Sequence, residues 1–387
     1  MIHLNNVKYM AGGTVTVCPV QPYNDTAVDF LDCLSKSLMK YREYSDIVSF
    51  GFYIRKANIL KLKESFEDKH YRIGRGLIFH IAPSNVPINF AYSFLFGLLS
   101  GNSNIVKISS KEYEQVNIVC SEINKLFQEE KFKHIKETNA FIRYSNIDEI
   151  TSYISSISDG RVIWGGDKSI NHIRTFPIKI RGVEVVFPDR YSICILNSDA
   201  VLNLNNNDLQ KLSDKFYNDT YLFDQNACSS PQIIFWYGKN IEKAKNIFWN
   251  SVKHSAAKYD LAPIKVVDKY TDMLTNIIKY DIKKAEIYGN EVYCLEPEKY
   301  QENLNGRFGL FYEYSIEELS DIADTIRDKC QTITYFGINK NEIISSLMSK
   351  NILGVDRIVP IGMALDMNVI WDGYDIVKEL SRVIDII

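Results

Sequence analysis

The sequence lacks the paired cysteines of a zinc site or of a disulfide framework. Its seven cysteines are scattered over 387 residues, are odd in number and form no Cys-x-x-Cys pair. Such a distribution disfavours both kinds of site and is typical of proteins from a reducing compartment. We therefore expect a cytoplasmic protein without a bound metal ion.

The sequence also lacks a long hydrophobic run. Its most apolar stretch, residues 88–99, is shorter than the ~20 residues that cross a bilayer, so it predicts a buried helix and no membrane span. Near the N-terminus, residues 7–20 are interrupted by Lys8, by two glycines and by Pro19. A signal peptide has a longer apolar core than this segment offers.

Charge of one sign is equally scarce. Lys and Arg number 45 and Asp and Glu number 48, which gives a net charge of -3. This balance does not indicate nucleic acid or an anionic membrane as a partner. With 46% hydrophobic residues the chain has ample material for a core, and its length predicts two lobes.

Strand and helix patterns alternate from Gly76 onward. Continuous apolar runs at 76–82 and 104–109 predict strands that are buried on both faces. Helices are predicted at 88–100, closed by Gly101, and at 114–128, and an earlier helix is predicted at 27–44. The alternation predicts a parallel sheet with helices on both faces, an architecture that binds nucleotides at the carboxyl ends of its strands.

Two polar loops are candidates for the chemistry. The loop 82–87 places Asn85 after a strand, between two prolines, where it is either a turn residue or an amide that donates to an oxyanion. The loop 223–232 places Cys228 among small polar residues before a strand, unlike Cys194, which lies in an apolar run. The residues alone leave Cys228 either incidental or a thiolate nucleophile.

Several longer motifs follow one another from about Arg75 to the C-terminus. They are His80-Ile-Ala-Pro-Ser-Asn-Val-Pro87, Phe96-Gly-Leu-Leu-Ser-Gly-Asn-Ser-Asn-Ile-Val-Lys-Ile-Ser109, Asp189-Arg-Tyr-Ser192, Asn226-Ala-Cys-Ser-Ser-Pro-Gln232, Gly354-Val-Asp-Arg-Ile-Val-Pro360 and Trp371-Asp-Gly373. Together they resemble the aldehyde dehydrogenase superfamily and, within it, the LuxC-type acyl-CoA reductases. The resemblance implies an α/β fold with a Rossmann-type cofactor-binding domain and an α/β catalytic domain.

The resemblance also implies residue roles. Cys228 matches the nucleophile, and Asn85 matches the asparagine that forms the oxyanion hole with the backbone N–H of Cys228. Lys107 matches the lysine that contacts the adenine ribose. Gly165 and Gly166 lie where the superfamily has a glycine turn beside the pyrophosphate, but a further glycine of that pattern is absent, and a plain strand-ending turn is the alternative.

Two departures from the superfamily pattern are informative. Hydrolytic aldehyde dehydrogenases carry a water-activating glutamate near the place of Val186, and Glu184 lies two residues away from it. Loss of that base favours transfer of the acyl group to or from a thiol. NAD-preferring relatives tend to carry a glutamate three residues after the lysine that Lys107 matches. At that position this chain has Ser110, which Lys111 follows. Neither side chain repels a 2′-phosphate, so these residues predict NADPH as the cofactor.

The expected function is therefore reduction of a long-chain acyl-CoA or other acyl thioester to the aldehyde, with NADPH, through an acyl-cysteine. The alternatives are a hydrolytic NAD(P)-dependent aldehyde dehydrogenase and a non-catalytic partner subunit that carries acyl groups. His80 and His172 are either proton donors or structural histidines. Arg190 is either a phosphate ligand or a surface charge.

The resemblance finally predicts an organisation and partners. Residues 1–225 are expected to hold an N-terminal segment and the NADP-binding domain, and residues 226–350 the catalytic domain. Residues 351–387 are expected to return to the cofactor-binding domain. The resemblance implies an acyl-protein synthetase as a partner and a homo-oligomer.

Overall fold

The structure is a computed structural model that describes residues 2, 4, 6–66, 68–84, 86–145, 147–301, 304 and 306–386. The chain folds into two compact units. The first unit comprises Met1–Pro188 and Val369–Ile387, and the second comprises Asp189–Asn368. Each unit is built around its own sheet.

The first unit alternates strands and helices along most of its length. Its strands are β1 (Lys8–Gly12), β2 (Tyr71–Gly74), β3 (Leu77–Ile81), β4 (Ser103–Lys107), β5 (Asn139–Arg143), β6 (Gly160–Trp164), β7 (Val183–Phe187), β15 (Ile370–Trp371), β16 (Tyr374–Asp375) and β17 (Ser381–Ile384). Its helices are α1 (Asp25–Leu38), α2 (Ser45–Tyr53), α3 (Lys56–Ser65), α4 (Asn89–Leu99), α5 (Glu114–Leu126), α6 (Lys133–Thr138), α7 (Asp148–Ile157), α8 (Asp167–Arg174) and α15 (Ile376–Glu379), with a 3-10 turn at Glu130–Phe132.

The main sheet of the first unit has the strand order β1-β5-β4-β3-β6-β7. Strands β3 to β7 are parallel, and β1 joins β5 in the antiparallel direction. The order therefore reverses at β3, which is the doubly wound arrangement whose carboxyl edge forms a ligand crevice. β3 is buried along its whole length, as expected for a strand covered on both faces.

The second unit has a larger sheet and its own helices. Its strands are β8 (Tyr191–Asn197), β9 (Pro231–Tyr237), β10 (Ile282–Tyr288), β11 (Val292–Pro297), β12 (Leu310–Ile316), β13 (Cys330–Phe336) and β14 (Arg357–Pro360). Its helices are α9 (Ser198–Leu202), α10 (Asn206–Thr220), α11 (Ile241–Ala256), α12 (Pro263–Lys279), α13 (Ser320–Thr325) and α14 (Lys340–Met348).

The second sheet runs in the order β10-β11-β12-β9-β8-β13-β14 and is parallel except for β10. Successive side chains of β8 alternate between two cores. Ile193 and Ile195 pack into one of them, and Cys194 and Leu196 pack into the other. β8 and its neighbour β9 are therefore the buried centre of this unit, and the loop that precedes β9 starts from a fixed base.

The predicted elements around the first loop are confirmed. α4 spans Asn89–Leu99 with nearly all of its side chains buried, and Gly101 follows it with a φ of +79°. A Cβ on Gly101 would lie 2.1 Å from the carbonyl oxygen of Val20, so this close approach requires glycine. The helix predicted over 27–44 is shorter, because α1 ends at Leu38, the last residue of its buried stripe, and a new helix begins at Ser45.

The division of the chain differs from the expected one. The first boundary falls after Pro188 instead of after residue 225, because β8 inserts between β9 and β13 of the second sheet. The last boundary falls after Asn368 instead of after residue 350, because β14 pairs with β13. The segment that follows joins the first unit, where β17 pairs with β2.

Candidate active site

Cys228 lies in the connection between α10 and β9, three residues before the first residue of β9. It is partly exposed. The chain reverses just upstream, at Asp224 and Gln225, whose φ angles are +56° and +64°. Such left-handed residues cost energy unless their surroundings hold them in place. We refer to residues 223–230 as the cysteine loop.

The side chain of Gln225 fastens the loop to two strands. It is buried, and its amide nitrogen donates to the carbonyl oxygens of Pro231 (3.2 Å) and Leu310 (3.1 Å). Its amide oxygen accepts the N–H of Gly309 at 3.0 Å. Three hydrogen bonds of one side chain thus join the loop to the beginning of β9 and of β12.

Further bonds hold both flanks of the loop. The Asp224 carboxylate accepts hydrogen bonds from Tyr259 and from Lys265, the latter at 2.8 Å. The Ser230 hydroxyl donates to the backbone oxygen of Asp219 at 2.7 Å. The carbonyl oxygen of Cys228 itself accepts the hydroxyl of Ser192 at 2.6 Å. The nucleophile candidate therefore lies on a backbone that is anchored from several sides.

Asp219 connects the cysteine loop to a part of the second unit that is distant in sequence. Its buried carboxylate accepts the backbone N–H groups of Gly362 (2.6 Å) and Ala364 (2.9 Å). Burial raises the pKa of this carboxyl to about 6, although the two N–H donors act in the opposite direction. One acidic residue thus couples the loop to the segment that follows β14.

Lys107 ends β4 at the carboxyl edge of the first sheet. Its ammonium nitrogen lies 4.8 Å from the centre of the Tyr144 ring, within the range of a cation–π contact. Burial lowers the pKa of Lys107, and the charge of Asp148 acts against this shift. Lys107 is the partly buried cation of this edge.

Ser110 and Lys111 lie in the exposed turn after β4. The backbone N–H of Lys111 donates to the Ser109 hydroxyl at 3.1 Å, and its ammonium lies 5.0 Å from the Tyr113 ring centre. These two predicted residues therefore lie three and four positions beyond Lys107, at the carboxyl edge of the first sheet. We refer to the exposed part of this edge, around Ser110 and Lys111, as the open edge.

Gly165 and Gly166 follow the carboxyl end of β6. Gly166 immediately precedes α8, and the N–H of Gly165 donates to the Phe187 carbonyl at 3.2 Å. A Cβ on Gly165 would meet only the Cβ of Ser169, at 3.6 Å, so the fold itself does not demand glycine there. The glycine pair and Lys107 thus share one edge of the sheet, on either side of β3.

Asn85 lies outside the described residues, so its role stays a prediction. The carbonyl oxygen of its neighbour Ser84 accepts the Tyr113 hydroxyl at 2.8 Å. This bond links the first polar loop to the residue that precedes α5.

Two of the charged or titratable candidates, His80 and Arg190, make structural contacts. The ring nitrogens of His80 lie 2.8 Å from the Ser93 hydroxyl and 2.9 Å from the Asn104 amide oxygen, and burial lowers its pKa to about 4. His80 is therefore neutral near pH 7 and is a structural histidine. Arg190 pairs with Asp356 and donates to two backbone carbonyls, so it is a structural residue of the second unit.

Val186 and Glu184 lie near the place where hydrolytic relatives are expected to carry the water-activating glutamate. Val186 is buried in β7. The Glu184 carboxylate pairs with Arg161 at 2.5 Å and with Arg174 at 3.2 Å, so both of its oxygens are held by guanidinium groups. His172 is exposed, and its ring lies 3.0 Å from Asp148. Glu184 is thus a structural ion-pair partner.

Sequence reasoning missed Ser192, Gln225 and Asp219, which hold the cysteine loop. Most of their partners are remote in sequence, and although Ser192 ends the motif Asp189-Arg-Tyr-Ser192, the motif does not indicate which residue Ser192 contacts. A single signal was available for Ser192, a polar residue at the start of an otherwise apolar strand. Among the described residues, no group of three or more His, Cys, Asp or Glu side chains could hold a metal ion.

In the part of the chain that the structure describes, no helix is both long and apolar enough to cross a membrane.

Comparison with known proteins gives a family match. The model of the acyl-CoA reductase (LuxC) family matches residues 21–285, which include Lys107 and Cys228. A long-chain acyl-protein thioester reductase from Aliivibrio fischeri is 22% identical over 304 residues, which cover 75% of this chain and 59% of that protein. Long-chain acyl-protein thioester reductase 2 from Photobacterium leiognathi is 24% identical, with 81% and 64% covered. The chain thus spans about three fifths of the length of these relatives.

Solved structures show the fold. Aldehyde dehydrogenase 21 from Physcomitrella patens, in complex with succinate, has a TM-score of 0.67 at 10% identity, with 99% of this chain and 98% of that chain covered. A salicylaldehyde dehydrogenase from Pseudomonas putida G7 has a TM-score of 0.65 at 12% identity, with 94% and 85% covered. The expected α/β fold of the aldehyde dehydrogenase type is confirmed.

Proposed function

Because the chain belongs to the acyl-CoA reductase (LuxC) family, we propose that it reduces a long-chain acyl thioester to an aldehyde through an acyl-cysteine on Cys228. The observation that carries the proposal is the partly exposed thiol in a loop whose backbone is anchored by buried side chains. A nucleophile gains rate from being held in one orientation before the substrate arrives.

The first step is acyl transfer. The Cys228 thiolate attacks the thioester carbonyl, a bond forms between sulfur and the acyl carbon, and the carrier leaves as its thiolate. The Asn85 amide and the Cys228 backbone N–H are proposed to stabilise the oxyanion, and each such donor is worth about 3–4 kcal/mol. The family resemblance supports this role for Asn85.

The second step is reduction of the acyl-cysteine. A nicotinamide nucleotide supplies a hydride when it is bound. The acyl carbon gains the hydride and the oxygen gains a proton, which gives a thiohemiacetal on Cys228. Loss of the hydroxyl proton to solvent and cleavage of the carbon–sulfur bond release the aldehyde and restore the thiolate. With a pKa of about 4, buried His80 is not in its acidic imidazolium form at pH 7, so solvent is the proposed proton source.

The carboxyl edge of the first sheet fits a nicotinamide nucleotide. Lys107 would contact the adenine ribose, and Gly165 and Gly166 would lie beside the pyrophosphate near the beginning of α8. Ser110 and Lys111 are both exposed and would accept a 2′-phosphate, which supports NADPH over NADH.

The acyl donor is proposed to be acyl-CoA or a protein-bound acyl thioester. The relatives from Aliivibrio fischeri and Photobacterium leiognathi are named for reduction of an acyl-protein thioester, which supports the second form. An acyl-protein synthetase is the proposed source of that donor. We further propose a cytoplasmic homo-oligomer.

The proposal is tested with Cys228→Ala and, as a matched control, Cys18→Ala, which changes another exposed cysteine. NADPH oxidation is followed with acyl-CoAs of graded length, and the Cys228 peptide is examined for an acyl adduct by mass spectrometry. We expect Cys228→Ala to lose activity by at least about 10³-fold and to retain nucleotide binding, and Cys18→Ala to behave as the wild type. An acyl adduct on a different residue would contradict the assignment.

The hydrolytic alternative is disfavoured by two observations. Val186 has no proton-accepting group, and Glu184 is held by two arginines. Production of free acid from an aldehyde without CoA would support that alternative. The non-catalytic alternative would be supported if the folded protein oxidised no NADPH with any acyl thioester.

A further inference from the structure

The strand ladders of the second sheet are irregular on both sides of Ser192. Between β8 and β9, Ser192 faces Pro231 while Ile193 faces Ile233, so the register shifts by one residue of β9. Between β8 and β13, the register shifts again before Ile193 meets Ile333. Such bulges take residues out of the ladder and re-aim the chain, and they are common beside active sites.

The hydroxyl of Ser192 bridges this irregular region. It accepts the backbone N–H of Thr332 at 3.2 Å and donates to the carbonyl oxygen of Cys228 at 2.6 Å. Ser192 and Thr332 are both fully buried. A buried hydroxyl without partners would cost about 1–3 kcal/mol, whereas here it is used as a donor and as an acceptor.

We propose that Ser192 is the positioning residue for Cys228, an inference that rests on the proposed function. Gln225 and Ser230 hold residues on either side of the nucleophile, and Ser192 acts on Cys228 itself. A bond to its carbonyl oxygen fixes the peptide that follows Cys228 and with it the ψ angle of this residue. A fixed backbone at Cys228 limits the directions that its thiol can take.

The bond also has an electrostatic consequence. A donor on the Cys228 carbonyl oxygen offsets part of the negative charge that this oxygen presents to its surroundings. Removal of the donor therefore raises the pKa of the neighbouring thiol and slows its reactions at neutral pH. If Ser192 had only a structural role in the core, removal of its hydroxyl would lower the unfolding free energy without changing the reactivity of the Cys228 thiol.

The test compares Ser192→Ala with Ser198→Ala. Ser198 is equally buried and lies just after the other end of β8, where its hydroxyl donates to the carbonyl oxygens of Lys239 (2.6 Å) and Tyr237 (3.2 Å). Both variants lose a buried hydroxyl of the same unit, so we expect similar losses of unfolding free energy. Urea unfolding of each variant shows that it is folded before reactivity is measured.

Two readouts report on Cys228. The first is iodoacetamide alkylation as a function of pH, quantified on the Cys228 peptide with the Cys18 peptide as internal reference. The second is single-turnover acylation by an acyl-CoA, followed through release of the CoA thiol. For Ser192→Ala we expect a roughly 10–100-fold slower acylation with the half-saturating acyl-CoA concentration within about twofold, and an alkylation profile shifted to higher pH.

Ser198→Ala is expected to match the wild type in both readouts. An acylation rate and a pH profile of Ser192→Ala equal to those of Ser198→Ala would overturn the inference. Failure of the proposed function has a different signature, since either the wild type would then reduce no acyl thioester or Cys228→Ala would retain that activity. The alkylation result does not depend on that activity.

Discussion

In the first unit the candidate nucleotide-binding residues lie at or just after the carboxyl ends of β4 and β6, whereas in the second unit Cys228 precedes the amino end of β9. The two regions also differ in how they are held. Ser110 and Lys111 are exposed, and little of the fold depends on Gly165. The cysteine loop is joined to β8, β9 and β12 by buried side chains.

This difference matches what each region is proposed to do. An open edge admits a ligand that brings its own shape and charge, and the protein needs a few correctly placed groups there. A nucleophile must instead hold one geometry to within a fraction of an ångström, because a misplacement of about 1 Å can cost 100-fold in rate. Substitutions in the cysteine loop should therefore reduce stability and reactivity together, and those at the open edge should change ligand affinity alone.

The largest effect on stability is expected for Gln225→Ala. This change leaves the Pro231 and Leu310 carbonyls and the Gly309 N–H without their buried partner, at about 3 kcal/mol of unfolding free energy in total. Urea denaturation measures the loss. The control is Gln232→Ala, because the Gln232 side chain accepts one bond, from Gly306 N–H, and should cost about 1 kcal/mol. Equal losses would show that the loop is not specially anchored.

The next effect is a pH dependence from Asp219. Its pKa in the folded protein, about 6, lies above the ordinary value of 3.8. Between these values the folded state binds more protons than the unfolded state, so stability falls as pH rises through this window, by at most about 3 kcal/mol. Asp219→Asn should flatten this part of the curve of unfolding free energy against pH. Asp214→Asn, which changes a half-exposed carboxylate, is the control, and an unchanged slope in Asp219→Asn would contradict the assignment.

At the open edge, Ser110→Glu should change cofactor choice while leaving the unfolding free energy unchanged. A carboxylate at this exposed position would repel a 2′-phosphate, so we expect the Kd for NADPH to rise roughly 10–100-fold and that for NADH to stay similar or fall. Fluorescence titration with both nucleotides measures the ratio. Ser156→Glu, an exposed serine of α7, is the control. An unchanged ratio would place the 2′-phosphate elsewhere.

The same contrast explains what could be predicted from the sequence. β3, α4 and β4 follow from local patterns, since apolar runs and the turn at Gly101 are properties of neighbouring residues. The cysteine loop could be recognised from its polar composition and from its resemblance to the LuxC-type acyl-CoA reductases. The anchors of the loop were not, because Ser192 is 36 residues from Cys228 in sequence and Gln225 is 85 residues from Leu310.

The division into units illustrates the same limit. β8 follows β7 with no helix between them, and nothing in its apolar sequence indicates that it enters the second sheet. Its place is decided by pairing with β9 and β13, which lie well downstream. A boundary between units that depends on which strands pair therefore cannot be predicted from the local periodicity of hydrophobic residues.

The smallest change in stability is expected for Gly165→Ala, and it decides between the two interpretations of the glycine pair. The new methyl would lie 3.6 Å from the Ser169 Cβ, an ordinary contact, so unfolding free energy should change by less than about 0.5 kcal/mol. Gly74→Ala is the contrasting control, because its Cβ would lie 2.2 Å from the Gly101 carbonyl oxygen. If the pyrophosphate approaches this backbone, the methyl should raise the Kd for NADPH although the fold is intact. An unchanged Kd would make Gly165 a plain strand-ending residue.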